Sequence, residues 1–220
     1  MTIEALIFDM DGTLVDSERI HWLAWKQTLA EDGMAIPDYD DFKKYVGVSD
    51  EEMAQEFSAA AGPKSDPHHL VTRKCNAYLE LVPQIELLPG VVETLERWRG
   101  RYSMAVASSS PYRELIALLD HHGLRDHFVQ VVGGDMVPRK KPAPDIYRKS
   151  VSLLGTVPSA CIAFEDSQSG VEAAKSAGLT AVAVPHAMSL DHDFSSADVV
   201  LDSLADFDER SLQLLATLIR

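Results

Sequence analysis

The stretch Leu6-Ile7-Phe8-Asp9-Met10-Asp11-Gly12-Thr13 decides how this chain is read. A short uninterrupted apolar run bounded by a turn signal suits a strand buried on both faces, as in a parallel sheet. Side chains alternate along a strand, so Asp9 and Asp11 would share a face if the strand ran on. Both fall where strand gives way to loop, the carboxyl edge at which open α/β sheets bind their ligands. Two carboxylates there repel unless something positive sits between them, and a hard divalent cation with oxygen ligands is the economical answer. A solvated Asp-x-Asp-Gly turn would use the same residues, because Asp and Gly are ordinary turn formers. The rest of the chain has to choose between them.

Outward from that stretch, segments 5–8, 104–107, 129–132, 161–164, 181–184 and 199–201 are short apolar runs rich in Val, Ile, Ala and Phe. Between most of them lie segments with helical spacing, at 91–99, 113–122, 144–154 and 171–177. This alternation predicts an α/β fold with a doubly wound parallel sheet, a Rossmann-like core. Residues 203–219 read as a closing amphipathic helix whose start is blurred by Asp208 and Glu209. The stretch 17–87 breaks the rhythm, with helical patterns separated at 33–37, 47–49 and 62–67 and no convincing strand. About 70 residues are too many for an ordinary crossover. We therefore expect an inserted all-α cap domain over 17–87, with 1–16 and 88–220 forming the core and Pro89-Gly90 marking re-entry.

With 220 residues, 46% of them hydrophobic, the chain can bury a substantial core. A net charge of -14 argues against nucleic acid or an anionic membrane as partner, since both need clustered Lys and Arg. An anionic substrate must be drawn in by local charge against that field. Two cysteines, Cys75 and Cys161, lie far apart without metal-ligand spacing and fit a reducing compartment. No basic-then-apolar leader precedes the first strand, and no apolar run approaches the ~20 residues of a membrane span. The expectation is a soluble cytoplasmic protein; its oligomeric state is open, and a monomer is compatible with the sequence.

Three later segments set polar groups after strand-like runs, at the same sheet edge in this topology. Ser108-Ser109-Ser110-Pro111 opens a helix, where hydroxyls and free N–H groups make an anion site or a plain N-cap. Gly133-Gly134-Asp135 leads to Arg139-Lys140-Lys141-Pro142-Ala143-Pro144, whose prolines restrict the backbone before them and aim one ammonium, Lys141. Arg139 and Lys140 suit a basic surface loop. Glu165-Asp166-Ser167-Gln168-Ser169-Gly170 follows a buried run, where an uncompensated charge is costly. A cation shared with Asp9 and Asp11 removes that cost, and magnesium fits ligands that are all oxygen.

Asp9-x-Asp11-Gly12-Thr13, Ser108, Lys141-Pro142 and Glu165-Asp166, in that order, resemble the four signature motifs of the haloacid dehalogenase-like hydrolase superfamily. The resemblance covers essentially the whole chain. Within the superfamily it is similar to the β-phosphoglucomutase-like subgroup and its phosphatases, which carry a helical cap after the first motif. The resemblance implies that Asp9 is a nucleophile forming an aspartyl-phosphate, and that Asp11 is the general acid and base. It implies that Mg²⁺ is held by Asp9, the Asp11 backbone carbonyl and Asp166, with Glu165 a ligand or a neighbour of one. Ser108, the Ser109 N–H and Lys141 would clamp the phosphoryl oxygens. Gly12 and Thr13 would form the turn beside them, and Asp16, Ser17 and Glu18 the hinge into the cap, with Ser17 an N-cap. His21 shares a helix face with Trp25 and either packs there or contacts the substrate.

A mutase must grip a second phosphate with its cap, and in β-phosphoglucomutases a basic residue follows the Gly-x-Ser turn. Here Gly47-Val48-Ser49 is followed by Asp50, Glu51 and Glu52, and a second cap-lysine position reads Val46. Lys43, Lys44 and Lys74 are expected in solvent unless the loop shifts, with Lys74 kept as a candidate substrate contact. The reading is a Mg-dependent phosphatase acting on a small phosphate monoester, such as a sugar phosphate. A β-phosphoglucomutase-type mutase is the alternative, and a catalytically silent binding protein a third class disfavoured by the complete set of acids. The remaining histidines carry no ligand pattern.

Overall fold

A computed structural model describes residues 2–35, 37–61 and 66–218. In the first part of the chain, β1 (Ala5–Phe8) and β2 (Val15–Asp16) are followed by α1 (Glu18–Glu31), α2 (Tyr39–Phe42), α3 (Asp50–Ala61) and α4 (Pro67–Leu81). Then come β3 (Glu86–Leu87), α5 (Val91–Trp98), β4 (Ser103–Ala107), α6 (Tyr112–His121), β5 (Gln130–Val132) and α7 (Asp145–Leu154). The chain closes with β6 (Cys161–Glu165), α8 (Gln168–Ala177), β7 (Thr180–Ala183), β8 (Val199–Val200) and α9 (Glu209–Leu218). Six strands form one parallel sheet in the order β5-β4-β1-β6-β7-β8. This is the doubly wound α/β core expected from the alternating runs, with a helical insert beside it.

Alternation along the strands sorts the core into two unlike layers. Leu6, Phe8, Met104, Val106, Ile162, Phe164 and Val182 face one side, against Val91, Leu95, Leu115, Leu118 and Leu215 from α5, α6 and α9. Phe8 and Phe164 stack there with centroids 4.7 Å apart. The opposite face is small, with Ala105, Ala107, Ala163, Ala181 and Ala183 under Ile146 and Tyr147 of α7 and Val171 and Ala174 of α8. Small side chains on the sheet leave room for α7 and α8 to lie close. Each large side chain buried on the other face stabilises the fold by roughly 1.5–3 kcal/mol.

The insert has a hydrophobic cluster of its own, built on Trp25, Leu29, Phe42, Tyr45, Met53, Phe57 and Leu70. Both cysteines are unpaired and buried, Cys75 in α4 and Cys161 at the start of β6. Among the described residues no helix is long and apolar enough to cross a membrane.

Three local expectations are corrected. The strandless reading of 17–87 misses β3, which pairs antiparallel with β2 through Val15↔Leu87 and Asp16↔Glu86. Two residues per strand leave no periodicity to read. The closing helix is split into a 3₁₀ turn, Leu204–Asp206, and α9, because Asp208 Oδ1 accepts from the N–H groups of Arg210 and Ser211 and starts a new helix. The helix read at 171–177 starts earlier, at Gln168, since Ser167 Oγ accepts from Gly170 N–H as an N-cap. Ile36, residues 62–65 and Ile219 lie outside the described residues, so the breaks at 33–37 and 62–67 are described only in part.

Candidate active site

The sheet register brings the acids together. Phe8 pairs with Val106 on one side and Phe164 on the other, so Asp9, Ser108 and Glu165 all emerge at one carboxyl edge. Beyond Asp9 the chain turns back sharply, with the N–H groups of Thr13, Leu14 and Val15 all directed at the Met10 carbonyl. Gly12 has φ +75°, and a Cβ on it would lie 2.2 Å from Asp166 Oδ2. Only glycine satisfies both the left-handed backbone and that close approach.

Asp9, Glu165 and Asp166 are buried, and their carboxylate oxygens come within 4.8 Å of one another. Lys141 is buried among them and donates to Asp9 Oδ1 at 2.6 Å while pairing with Glu165 Oε1 at 2.6 Å. Tyr147 O–H also donates to Glu165 Oε1, whereas Glu165 Oε2 is buried without a hydrogen-bond partner. Burial pushes the Asp9 carboxyl up to about 8; Lys141 opposes the shift, and Glu165 and Asp11 add to it. Burial, then repulsion from Asp9, raises Asp166 well above the carboxylate range. Burial alone would strip the proton from Lys141, but Asp9 and Glu165 hold its pKa above the ordinary lysine value. Three carboxylates share one ammonium in a dry place, an excess of acid in which Asp9 and Asp166 hold protons that a cation would replace. That excess, the orphaned Glu165 oxygen and a donor set made only of oxygen fit a hard divalent cation.

Asp11 points elsewhere. Its Oδ1 accepts from Ser17 Oγ at 2.6 Å and from His21 Nε2 at 3.1 Å, and its Oδ2 from Ser110 Oγ at 2.6 Å and Ser108 Oγ at 3.4 Å. Burial would raise its pKa, yet the His21 contact and the serine hydroxyls hold it well below the usual range. As a metal ligand, Asp11 is thus left only the backbone carbonyl named in the sequence reading. His21 Nδ1 lies 2.9 Å from Lys74 Nζ. An ammonium has only protons to offer, so Nδ1 accepts and Nε2 carries the hydrogen given to Asp11. Burial and Lys74 disfavour a second ring proton while Asp11 favours it. Asp11 prevails, so the His21 pKa lies above the ordinary imidazole value, and when the ring is neutral its one hydrogen sits on Nε2.

The expectation that Lys74 is solvated is overturned: its side chain is fully buried, 2.7 Å from Asp50 Oδ2 and 3.7 Å from Glu114 Oε2. Asp50 Oδ1 also accepts from Trp25 Nε1 at 3.0 Å, so Trp25 bonds as well as packs. Each acid of the run after Ser49 has a partner. Lys74 engages Asp50, Lys140 engages Glu51 across to α3, and the Ser49 hydroxyl donates to Glu52 at 3.0 Å. Lys140 therefore bridges two elements where a surface loop residue was expected, whereas Arg139 is exposed and pairs with Asp145. Ser17 makes no side-chain cap of α1, because its hydroxyl is given to Asp11. Ser108-Ser109-Ser110-Pro111 leads directly into α6 with Pro111 at the N-cap, but no serine side chain caps it, and the Tyr112 N–H donates to Asp135 Oδ1 at 2.8 Å. Tyr147 and Glu114 are contributors that sequence reasoning passed over, while Ser110 was read only within its run and Asp50 only as one of three acids after Ser49. Neither of the first two carried a signal.

A cleft of about 90 Å³ joins these groups, with Asp9, Asp11, Ser108, Ser109, Lys141 and Asp166 on the sheet-edge side. His21, Trp25, Tyr45, Val46, Ser49 and Asp50 close it from the insert. Gly12 and Thr13 form the adjoining turn, and Thr13 is buried. Lys74 stands behind Asp50, outside the lining.

A parallel α/β sheet with a helical insert, and acids and one lysine gathered at its carboxyl edge, is the architecture of a phosphoric monoester hydrolase. Residues 6–184 match the family of haloacid dehalogenase-like hydrolases, and the chain belongs to that family. It is similar to the fructose-1-phosphate phosphatase YqaB of Escherichia coli, 38% identical over 180 residues that span 81% of this chain and 95% of the relative. It is 34% identical to protein CbbY of Rhodobacter capsulatus over 212 residues, 90% of this chain and 92% of the relative. The crystal structure of CbbY from Rhodobacter sphaeroides in complex with phosphate superimposes with a TM-score of 0.88 at 30% identity, covering 96% of this chain and all of that one.

Proposed function

We propose that the chain is a magnesium-dependent phosphatase that hydrolyses a small phosphate monoester, a sugar phosphate or similar metabolite, through an aspartyl-phosphate on Asp9. It is a phosphoric monoester hydrolase. The observation that carries the mechanism is the division of labour between two aspartates: Asp9 sits against Lys141 and the acid cluster, and Asp11 is held apart by separate donors. The likeness to a fructose-1-phosphate phosphatase supports the substrate class.

In this reading an Asp9 oxygen attacks phosphorus as the bond to the substrate oxygen breaks, and Asp11 gives that oxygen its proton. Its donors hold Asp11 ionised in the resting site, so the proton it passes on arrives with a monoanionic phosphate ester, and Asp11 is a strong acid while it carries it. Asp11 then takes a proton from water, whose oxygen attacks the phosphorus, freeing inorganic phosphate and the Asp9 carboxylate. Lys141, Ser108 and the Ser109 N–H bind the phosphoryl oxygens, where charge spreads in the transition state. His21 holds Asp11, and Lys74 fixes the His21 tautomer rather than touching substrate. Asp9, Asp166 and the Asp11 carbonyl would hold Mg²⁺ with Glu165 beside them; the ion supplies positive charge to the phosphoryl group when bound. Residues 17–87 act as the cap over a core of 1–16 and 88–220, and a reducing cytoplasm suits the two unpaired cysteines.

The deciding experiment measures phosphate release from p-nitrophenyl phosphate and a panel of sugar phosphates, with Mg²⁺ and with EDTA, by the intact protein and by Asp9→Asn. Metal-dependent release that Asp9→Asn abolishes is expected; equal rates would remove the nucleophile. Interconversion of hexose 1- and 6-phosphates that outpaces phosphate release would replace the phosphatase with the mutase.

A further inference from the structure

We propose that Asp50 selects the substrate by the charge at its far end, admitting monophosphates that end in hydroxyls and turning away molecules with a second anionic group. The inference rests on the reading above, in which the transferring phosphoryl lies against Asp9 and Lys141. The far end of the substrate then meets the wall formed by α1, α3 and the turn before α3.

Among the described residues lining that wall there is no lysine or arginine, and His21 is spent on Asp11 and Lys74. Lys74 lies outside the lining with Asp50 between its ammonium and the cleft, and Lys140 is taken up by Glu51 beside it. The pairing is tight on both sides: Asp50 Oδ2 meets Lys74 Nζ at 2.7 Å, and Glu114, fully buried, faces the same ammonium at 3.7 Å. Each Asp50 oxygen already accepts one hydrogen bond, Oδ1 from Trp25 and Oδ2 from Lys74, and each keeps a further acceptor position on a carboxylate that lines the cleft. Ser49, Ser169 and Tyr45 add hydroxyls to the lining. Such a wall hydrogen-bonds the O–H groups of a polyol chain and repels a phosphate or carboxylate. One residue therefore does two things, masking the buried lysine and presenting acceptors.

Equilibrium binding separates this from turnover. In protein carrying Asp9→Asn, with Mg²⁺ present, calorimetry would compare fructose 1-phosphate with fructose 1,6-bisphosphate, which differ only in the second phosphate. The monophosphate is expected to bind about tenfold or more tightly than the bisphosphate. Adding Asp50→Asn, which keeps the shape and removes the charge, should cut that preference about tenfold, and Asp50→Glu should keep it. Equal affinities before Asp50 is touched would overturn the proposal, and that measurement stands even if the Asp50 variants do not fold. An Asp50→Asn change that weakens both ligands alike would also overturn it. Loss of the phosphatase reading shows separately, as absent phosphate release with the binding preference intact.

Discussion

Lys141 lies between two carboxylates that cannot leave the protein interior. Lys141→Met strips the ammonium from Asp9 and Glu165, and urea unfolding should report a loss of about 3–5 kcal/mol. Asp9→Asn acts in the opposite sense on stability, because it neutralises one of three crowded acids. Its melting temperature should hold or rise while phosphate release falls by roughly 10³-fold or more. Ser110→Ala removes a donor to the charged form of Asp11. The pKa of Asp11 then rises, so under conditions where its action as base on water limits turnover the acidic limb of the pH–rate profile should move to higher pH. At this scale Asp9, Asp166 and Lys141 were legible because a charge directly after a buried run, or before stiffening prolines, has few innocent explanations. Lys74 was not legible, since its burial depends on Asp50 and Glu114, far away in the chain.

Helix α8 illustrates how an element serves the site through its first turn. Gly170 lies there, and a Cβ on it would come 1.8 Å from Glu165 Oε2. Gly→Ala in an exposed helix gains up to about 1 kcal/mol. Gly170→Ala should instead lose about 1–3 kcal/mol, read by thermal or urea unfolding, and shift Glu165 off Lys141. The strands of the sheet were legible as elements because burial on both faces writes an unbroken apolar run, and their ends differ from expectation by only a residue or two. The β2–β3 pair was hidden because it is too short to alternate. The start of α6 lies within a residue of the expected 113, although its first N–H is met by Asp135, on another segment, rather than by the adjacent serines.

For the molecule as a whole, the acid cluster makes stability depend jointly on pH and metal. Asp9 is held at about 8 against an ordinary 3.8, so the metal-free fold carries a proton that the unfolded chain has lost, and its stability falls as pH rises from about 4 to 8. A divalent cation competes with that proton. The rise in melting temperature produced by Mg²⁺ should therefore be larger near pH 8 than near pH 5, reaching about 5 °C or more at saturating ion. An increment independent of pH would contradict a carboxylate metal site. The two thiols carry a different consequence. Burial pushes Cys75 up to about 12 and Cys161 up to about 11, so neither reacts with an alkylating reagent while its surroundings stay shut. One is in a helix of the insert and the other at the foot of a central strand. Timed alkylation, resolved by peptide mass, would make them two clocks, one for each half of the protein, and a bound sugar phosphate should slow the Cys75 clock while leaving the other at its own pace.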